Sequence, residues 1–582
     1  MQFLLIVRRK VKEDKIILRI KFVAAFFLLL SFILLVRLFQ KQIIKGKSYV
    51  AEAKSQQQFS KVELPERGKI YFHDAAENLS GSYAVAYDTK SFALFVIPKN
   101  LIDKHNAAAK LAPFVGKSEM ELYDQINNDK SYLPALKKGL NYDDADKIEA
   151  LYLTGVYVLP EYKRYYPESD FSAQLLGFVD NEGVGRYGFE GFYDKELQGS
   201  SGKITGEQDT LGRVINLLSE DAPKNGTSYL LSIDRSVNFY MYQKLRQAMQ
   251  DYQAESAMAV AVDIKTGKVI GMASLPSFDP NNFAQYSNDN QQELYKNPLI
   301  STAYEPGSIF KPIIVASGLD SGKITPDSAS DFGASVNVSG FTIHTAEGTA
   351  FGHENIGDIL KHSDNVGMVW VGQQIGSEIM DKYIRKFGFV DKTGVDLSGE
   401  GLGIIQPLKD WHDIGQATIT FGQGISVTPI QLVMAYAAIA NKGVMMKPEV
   451  NDKIINDDGN TTSVAPVEVG RIISEQTAAE LNQMLTGVVE NGYGKKAGVS
   501  GFWVAGKTGT AQIADSNTGK YMEGIFNHSF VGFAPSDNPQ FAMLIELNKP
   551  KNAKFAESSA APVFGDIASY LLNYYYRIAP NR

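Results

Sequence analysis

The sequence predicts a chain of three parts: a membrane-spanning helix near the N-terminus, an α+β domain, and a larger α/β domain holding a serine-centred site. Three observations carry this prediction. An apolar run of 18 residues, 22–39, follows a basic cluster. From about residue 40 to 225, short strand-like and helix-like segments follow one another without a sustained period. From about residue 226, strand patterns at both ends of a long segment bracket apolar helical patterns, and three short Ser/Lys motifs fall in order between them.

At 582 residues the chain exceeds one ordinary domain. Hydrophobic residues at 44% and charged residues at 21% are the proportions of a folded protein with large cores and little disorder. The net charge of −7 is mild, and no basic stripe follows the first fifty or so residues, which argues against nucleic-acid binding. The chain has no cysteine, so disulfides, thiol nucleophiles, Cys-ligated zinc and iron–sulfur clusters are excluded, and catalysis needs another nucleophile. Nothing in the sequence calls for a metal or a cofactor.

Residues 22–39, FVAAFFLLLSFILLVRLF, are interrupted only by Ser31 and Arg37 and reach the lower end of the length that spans a bilayer as a helix. Arg37 stands near the far end, where its stem can carry the charge to the headgroups. Before the run, Arg8, Arg9, Lys10, Lys12, Lys15, Arg19 and Lys21 outweigh Glu13 and Asp14, so the positive-inside rule places a tail of residues 1–21 in the cytoplasm and everything after about residue 40 outside. A cleaved signal peptide is the rival reading, and Ala51-Glu52-Ala53 offers a cleavage pattern, but it lies a dozen or so residues beyond the apolar run. A buried core helix fits neither the basic flank nor the all-round apolarity.

Residues 40–225 are expected to form an α+β spacer. Residues 83–87 and 92–97 read as strands, 119–127 and 143–152 as helices, and the glycines around 183–185 and 199–202 as turns. The next domain, 226–582, opens with the strand SYLLSID and a helix over 235–252. Residues 257–263 and 268–273 form a hairpin around Ile264-Lys265-Thr266-Gly267, with glycine where positive φ is needed.

Three patterns carry the chemistry: Ser308-Ile-Phe-Lys311, Ser363-Asp-Asn365 and Lys507-Thr-Gly509. Singly each is weak. Ser200/Lys203 repeats the first, Ser236/Asn238, Ser335/Asn337 and Ser536/Asn538 the second, and Lys265 and Lys392 open further K-T-G triplets. Context separates them: Lys265 sits in the hairpin turn, Lys392 in a loop, and Ser200 in a glycine-flanked turn. Ser308 follows Pro306-Gly307 and begins a strongly apolar helix, with Pro312 in its first turn where the missing N–H costs little. Three residues apart on that helix, Lys311 shares a face with Ser308, so its amine can reach the hydroxyl. Burial would bring the lysine toward neutrality and make it a base, and the helix N-terminus favours negative charge developing there. Ser363 can relay a proton, and Asn365 can bind a substrate amide. Lys507, Thr508 and Thr510 lie on a predicted strand edge, with Gly509 between the threonines, where a peptide and its terminal carboxylate can be held. The N–H groups of Ser308 and Thr510 would form an oxyanion hole. The bland alternatives are a helix N-cap for Ser308, a capping turn for Ser363 and a solvated strand lysine for Lys507.

YEPGSIFKP, HSDNVG and AGKTGTAQ resemble the active-site motifs of the class B penicillin-binding proteins. The likeness extends to residues 422–443, 527–535 and 559–567, and upstream to Arg67-Gly68 and Gly188-Phe189-Glu190, although YFHDAAENL departs from the family's text after Arg67-Gly68. Within the family the likeness is greatest to members that act in cell division; elongation members share the same motifs. Position 309 is Ile where the family often has Thr, and its side chain is expected to point into the helix packing. The resemblance implies a pedestal, or dimerisation-like, domain over 40–225 and a penicillin-binding/serine β-lactamase-like transpeptidase domain over 226–582. It implies a D,D-transpeptidase in which Ser308 takes the acyl group of a peptidoglycan stem peptide, β-lactams as covalent inhibitors, a membrane-embedded glycan polymerase and other division proteins as partners, and residence in the cell membrane with the catalytic domain outside.

Two alternatives stand beside this. A β-lactamase or D,D-carboxypeptidase on the same fold would resolve the acyl-enzyme with water, but no E-x-x-L-N pattern lies between Ser363 and Lys507 to position it. A non-enzymatic penicillin sensor would need a cytoplasmic output domain or several spans, and only about twenty residues precede the apolar run, while an inactive scaffold would form no acyl adduct.

Overall fold

A computed structural model describes residues 2–74, 82–208, 214–287, 291–515, 518 and 520–582. They form two compact bodies. One consists of residues up to Pro65 together with Ser200–Lys224, the other of Glu66–Gly199 with Asn225–Arg582.

In the first body no glycine or proline interrupts residues 2–39, and they form one helix, α1 (Gln2–Phe39). The basic segment read as a separate tail is thus helical and continuous with the apolar run. A five-residue π-helical stretch, Gln40–Ile44, leads to α2 (Gly46–Gln57). Over Asp14–Ile44 this is the one helix among the described residues long and apolar enough to cross a membrane, and Phe22 and Leu28 are among its exposed apolar side chains. The body is completed by a three-stranded antiparallel sheet in which Gly202–Gln208 lies between Gln58–Glu63 and Val214–Asp221.

The second body holds two large sheets. In the first, β1 (Ile70–His73) lies between β2 (Ser82–Val96) and β3 (Ser228–Asp234). β1 and β3 run parallel, Tyr229 opposite Ile70, so residues on both sides of position 226 share one sheet. The runs 83–87 and 92–97, read as two strands, are one strand of 15 residues. Its polar middle stays extended because Val156–Tyr165 pairs along it, with Thr89 Oγ1 donating to Lys163 O at 3.0 Å. The helices expected near 119–127 and 143–152 are Glu119–Ile126 and Tyr142–Glu149, and they help cover a small core around Leu94, Leu111, Leu122 and Ile148.

A buried charge cluster fastens this region. Glu190 accepts from Arg67 Nε at 2.8 Å and from Arg164 Nε at 2.7 Å. Arg67 also pairs with Asp194 at 2.9 Å, and Arg164 with Asp88 at 3.2 Å and the Gly68 carbonyl at 2.8 Å. Burial pushes the Glu190 carboxyl up, but the two guanidiniums outweigh it and hold it below the usual range. These are the upstream positions, Arg67-Gly68 and Glu190, at which the sequence resembles the family.

The second large sheet is antiparallel. It contains β4 (Ser256–Asp263), β5 (Val269–Leu275), β6 (Ala505–Ala514), β7 (Tyr521–Ala534) and β8 (Phe541–Asn548), in the order β5-β4-β8-β7-β6. Strands from early and late in residues 226–582 thus share a sheet, although the first of them, Ser228–Asp234, lies in the other one. The 264–267 turn is held by Asp263, whose Oδ1 accepts from Lys265 N and Thr266 N. Both faces are buried: Ala257, Ala259 and Ala261 pack in a core with α3 (Arg235–Tyr252), while Val260 and Val262 face a core with α4 (Lys311–Asp320). β6 is therefore an edge strand whose second side is free to meet whatever the α4 side brings to it.

Glu190→Ala leaves two buried guanidiniums without their shared anion. It is expected to destabilise the protein by about 3–5 kcal/mol, seen as a lowered unfolding midpoint of the detergent-solubilised chain.

Candidate active site

The segment ahead of α4 is fixed by close backbone crossings. Tyr304 bridges Val427, and Gly307 N donates to Gly422 O at 3.0 Å. Gly422 has φ +78°, and a Cβ there would lie 2.2 Å from Gly307 O, so only glycine fits the crossing. Residues Gly307–Phe310 make one 3₁₀ turn that runs into α4 at Lys311. In such a turn side chains three apart eclipse, which stacks Ser308 over Lys311. The Ile309 carbonyl accepts from Tyr436 Oη at 2.8 Å, locking the turn to the buried helix Pro429–Ala440.

The second motif lies between α5 (Ile356–Lys361) and α6 (Asn365–Ile375). Asp364 is its fastener: fully buried, it caps α6 by accepting from Val366 N at 2.8 Å and Gly367 N at 3.0 Å. Ser363 is driven to φ +55°, the left-handed region, a strained conformation for serine. That geometry turns both Ser363 and Asn365 toward Lys311.

The third motif is on the edge strand β6, as the sequence predicts. A Cβ at Gly509 would meet Ser529 Oγ at 2.5 Å, Ile309 Cγ2 at 3.0 Å and Pro306 O at 3.2 Å. Gly509 is therefore the point at which the 306–309 turn touches the edge strand. Ile309 is buried, as expected, but it packs against β6 and not only within its own helix.

Lys311, Ser363, Asn365 and Lys507 converge. Lys311 Nζ donates to Ser363 O at 2.6 Å, Asn365 Oδ1 at 2.8 Å and Ser363 Oγ at 3.3 Å. Lys507 Nζ reaches the same Ser363 Oγ at 2.9 Å, and Thr508 O at 3.2 Å. Asn365 Nδ2 donates to His344 O at 3.2 Å. Neither lysine has exposed surface. Burial pushes Lys311 down to about 7, against the opposing pull of Asp364 and Glu354. Burial, with Lys311 as a like charge, pushes Lys507 well below the usual lysine range.

Ser308 is half-buried, and its hydroxyl makes no hydrogen bond among the described residues; the expected Lys311 contact is not formed in this structure. Lys311 instead holds the Ser363-Asn365 turn. Thr508 is nearly buried and Thr510 half-buried, the Thr510 hydroxyl oxygen accepting from Ala556 N at 3.2 Å, which leaves its proton free to donate to an anion. Several of the competing motifs lie on other elements: Lys265 is in the β4–β5 turn, Lys392 follows the helix Ser377–Lys386 in a loop, Lys203 lies on the strand Gly202–Gln208, and Asn238 is on α3 bonded to Ser172.

Sequence reasoning missed Asp364, whose place before an apolar helix is an N-cap signal. It missed Glu305, whose carboxylate accepts from Gly424 N at 2.8 Å and Tyr521 Oη at 2.9 Å. It also missed Glu354, which comes from the strand Gly352–Asn355 and carries no local signal.

Comparison with known proteins gives the class first. The model described as the penicillin binding protein transpeptidase domain matches residues 257–569, and the penicillin-binding protein dimerisation domain matches residues 62–231. The chain therefore belongs to the class B penicillin-binding proteins and carries their serine-type transpeptidase domain. Among curated relatives, stage V sporulation protein D of Bacillus subtilis is 33% identical over 558 residues, covering 94% of this chain and 84% of that protein. The peptidoglycan D,D-transpeptidase FtsI of Escherichia coli is 32% identical over 459 residues, covering 78% and 74%. Among solved structures, penicillin binding protein 3 of Mycobacterium tuberculosis complexed with aztreonam superposes with a TM-score of 0.69 at 26% identity, covering 90% of this chain and 98% of that one.

Gly509→Ala forces the 306–309 turn away from β6. An overpacking cost of about 1–3 kcal/mol is expected, read as a lowered unfolding midpoint, whereas the same change at Gly487, whose Cβ meets nothing within 4 Å, should cost none of it.

Proposed function

We propose that the chain is a peptidoglycan D,D-transpeptidase that cross-links stem peptides through an acyl-enzyme on Ser308. The observation that carries this is the meeting of Lys311, Ser363, Asn365 and Lys507 around one hydroxyl at the foot of the Ser308 turn. Ser308 Oγ attacks the penultimate D-Ala carbonyl, and its proton passes to the Lys311 amine, which burial keeps available as a base near neutral pH. The Ser363 hydroxyl, bonded to both amines, hands a proton to the leaving D-Ala nitrogen. Asn365 holds the peptide amide, and the N–H groups of Ser308 and Thr510 receive the oxyanion. Thr508 and Thr510 donate to the terminal carboxylate, Gly509 giving the strand its close approach. The arriving carboxylate supplies the negative charge that favours a protonated Lys507, which burial and Lys311 disfavour in the empty site. An amine from a neighbouring strand then attacks the ester carbonyl, releasing Ser308. A β-lactam acylates the same serine.

The working division is a cytoplasmic tail 1–21, a span 22–39, a pedestal 40–225 and a transpeptidase domain 226–582. The two family matches, in that order, support it. The basic cluster before the apolar run supports a cytoplasmic N-terminus and an external catalytic domain in the cell membrane. The names of the FtsI relatives support a septal role, with a membrane-embedded glycan polymerase and other division proteins as partners. A fluorescent fusion gathering at the division site would bear this out, and an even distribution along the side wall would favour elongation.

Covalent labelling of the detergent-solubilised chain by fluorescent penicillin tests the chemistry. Ser308→Ala should show no adduct, and Lys311→Ala should label on the order of 10²–10⁴-fold more slowly. An unchanged adduct in folded Ser308→Ala would falsify the assignment. In the unaltered chain the labelling rate should rise as pH climbs through about 7, because the base must lose its proton to act and Lys311 is pushed down to about that value.

A further inference from the structure

The two N–H groups read as oxyanion donors lie on separate elements, Ser308 on the 3₁₀ turn and Thr510 on the edge strand β6. Among the described residues no backbone hydrogen bond joins residues 304–311 to β6, so side chains and packing must set the spacing between the donors.

Three contacts at successive points along the strand do so. At Gly509 the 306–309 turn lies so near that a Cβ would sit 3.0 Å from Ile309 Cγ2. That contact limits how close the two elements come but does not draw them together. At Gln512, Oε1 accepts from Gln423 Nε2 at 3.3 Å. At the end of the strand Ala514 pairs with Tyr521 on β7, and the Tyr521 hydroxyl donates to Glu305 Oε2 at 2.9 Å. The other carboxylate oxygen, Glu305 Oε1, accepts from Gly424 N at 2.8 Å, and two residues back Gly422 O takes the Gly307 N–H at 3.0 Å. One carboxylate, three residues before Ser308, thus joins the Ser308 segment, the 422–424 loop and the β6–β7 hairpin. Hydrogen bonds to a carboxylate are stronger than those to a neutral acceptor. Burial and Glu305 push the Tyr521 hydroxyl up, so it keeps its proton and stays a donor at neutral pH.

We propose that Glu305 is a positioning residue for acyl transfer: by holding Tyr521 and Gly424 at once, it fixes the Ser308 segment against β6 and with it the spacing of the two oxyanion donors. The proposal rests on the reading of Ser308 as the nucleophile and of the Ser308 and Thr510 N–H groups as the oxyanion hole.

The consequence falls on rate more than on binding. Full negative charge reaches the carbonyl oxygen only as Ser308 Oγ bonds to the carbon, so the pair of donors is needed most in the transition state. The ligand's carboxylate is received by Thr508 and Thr510, which both lie on β6 and keep their places relative to each other when the clasp loosens.

The test measures acylation by fluorescent penicillin over a range of concentrations in the full detergent-solubilised chain, unaltered and as Tyr521→Phe, Glu305→Gln and the two together, with the unfolding midpoint recorded alongside. Tyr521→Phe removes a single hydroxyl from an exposed ring and keeps the question answerable if Glu305→Gln fails to fold. The rate at saturating penicillin should fall roughly tenfold in Tyr521→Phe and about 10²-fold in Glu305→Gln, with the half-saturating concentration unchanged to within about twofold. Acting through one clasp, the two changes together should be no slower than Glu305→Gln alone, whereas losses that multiply would mark independent sites and overturn the proposal. A role confined to stability would lower the midpoint and the fraction of molecules that label, and leave the rate of the folded ones as in the unaltered chain. A direct contact with penicillin would raise the half-saturating concentration at an unchanged saturating rate. Either result, with the unaltered chain labelling normally, overturns the proposal alone. Absence of labelling in the unaltered chain overturns the acyl-enzyme reading and this proposal with it.

Discussion

The site is organised by the burial of two lysine amines beside a single serine hydroxyl. Lys311 and Lys507 come from different elements, have no exposed surface, and both reach Ser363 Oγ. Two ammonium groups so placed repel each other and lack water, so the empty site disfavours two protons on them. Much of the surrounding structure keeps that arrangement in place. The 3₁₀ turn aims Lys311, the Asp364 cap sets the Ser363-Asn365 turn, and the edge of the five-stranded sheet presents Lys507. Burial pushes Lys311 down to about 7, with Asp364 and Glu354 pulling the other way.

The scaffold supplies what the motifs alone do not. Gly422 lets one backbone cross Gly307, and Gly509 lets the 306–309 turn lie against the edge strand. Removing either approach separates residues far apart in sequence by only a fraction of an ångström to a few ångströms, yet proton transfer depends on distances of that size. Strain at Ser363, held by the buried cap beside it, is in keeping with a turn whose conformation serves position more than stability.

Much of this was legible in the sequence, for identifiable reasons. The strand 228–234 and helix 235–252 were readable from their local residue pattern, and the structure adds Asp234 at their junction, which caps the helix by accepting from Val237 N. The three motifs were separable from their copies by context: an apolar helix, a capped helix and a strand edge surround the set whose lysines, serine and asparagine converge, and turns or loops surround several others. What escaped was non-local. No pattern in residues 83–97 announces one strand, because its polar middle is stabilised by a partner some seventy residues or more away. Glu354 is silent in its own hairpin and meets its partner, His362, only through folding. Lys311 was expected to share a face with Ser308 and to reach its hydroxyl, and the structure shows its amine donating to acceptors in the adjacent turn.

The parallel pairing of β1 with β3 bears on how the chain can be divided. A fragment beginning near residue 226 would lose the Ile70–His73 strand and expose one whole side of Ser228–Asp234, a strand whose residues are otherwise almost all buried. An apolar edge of that kind recruits any extended chain it meets, including another copy of itself. The upstream strand thus completes a sheet that the downstream residues begin, and a cut at the apparent border would leave an open edge in place of a finished sheet.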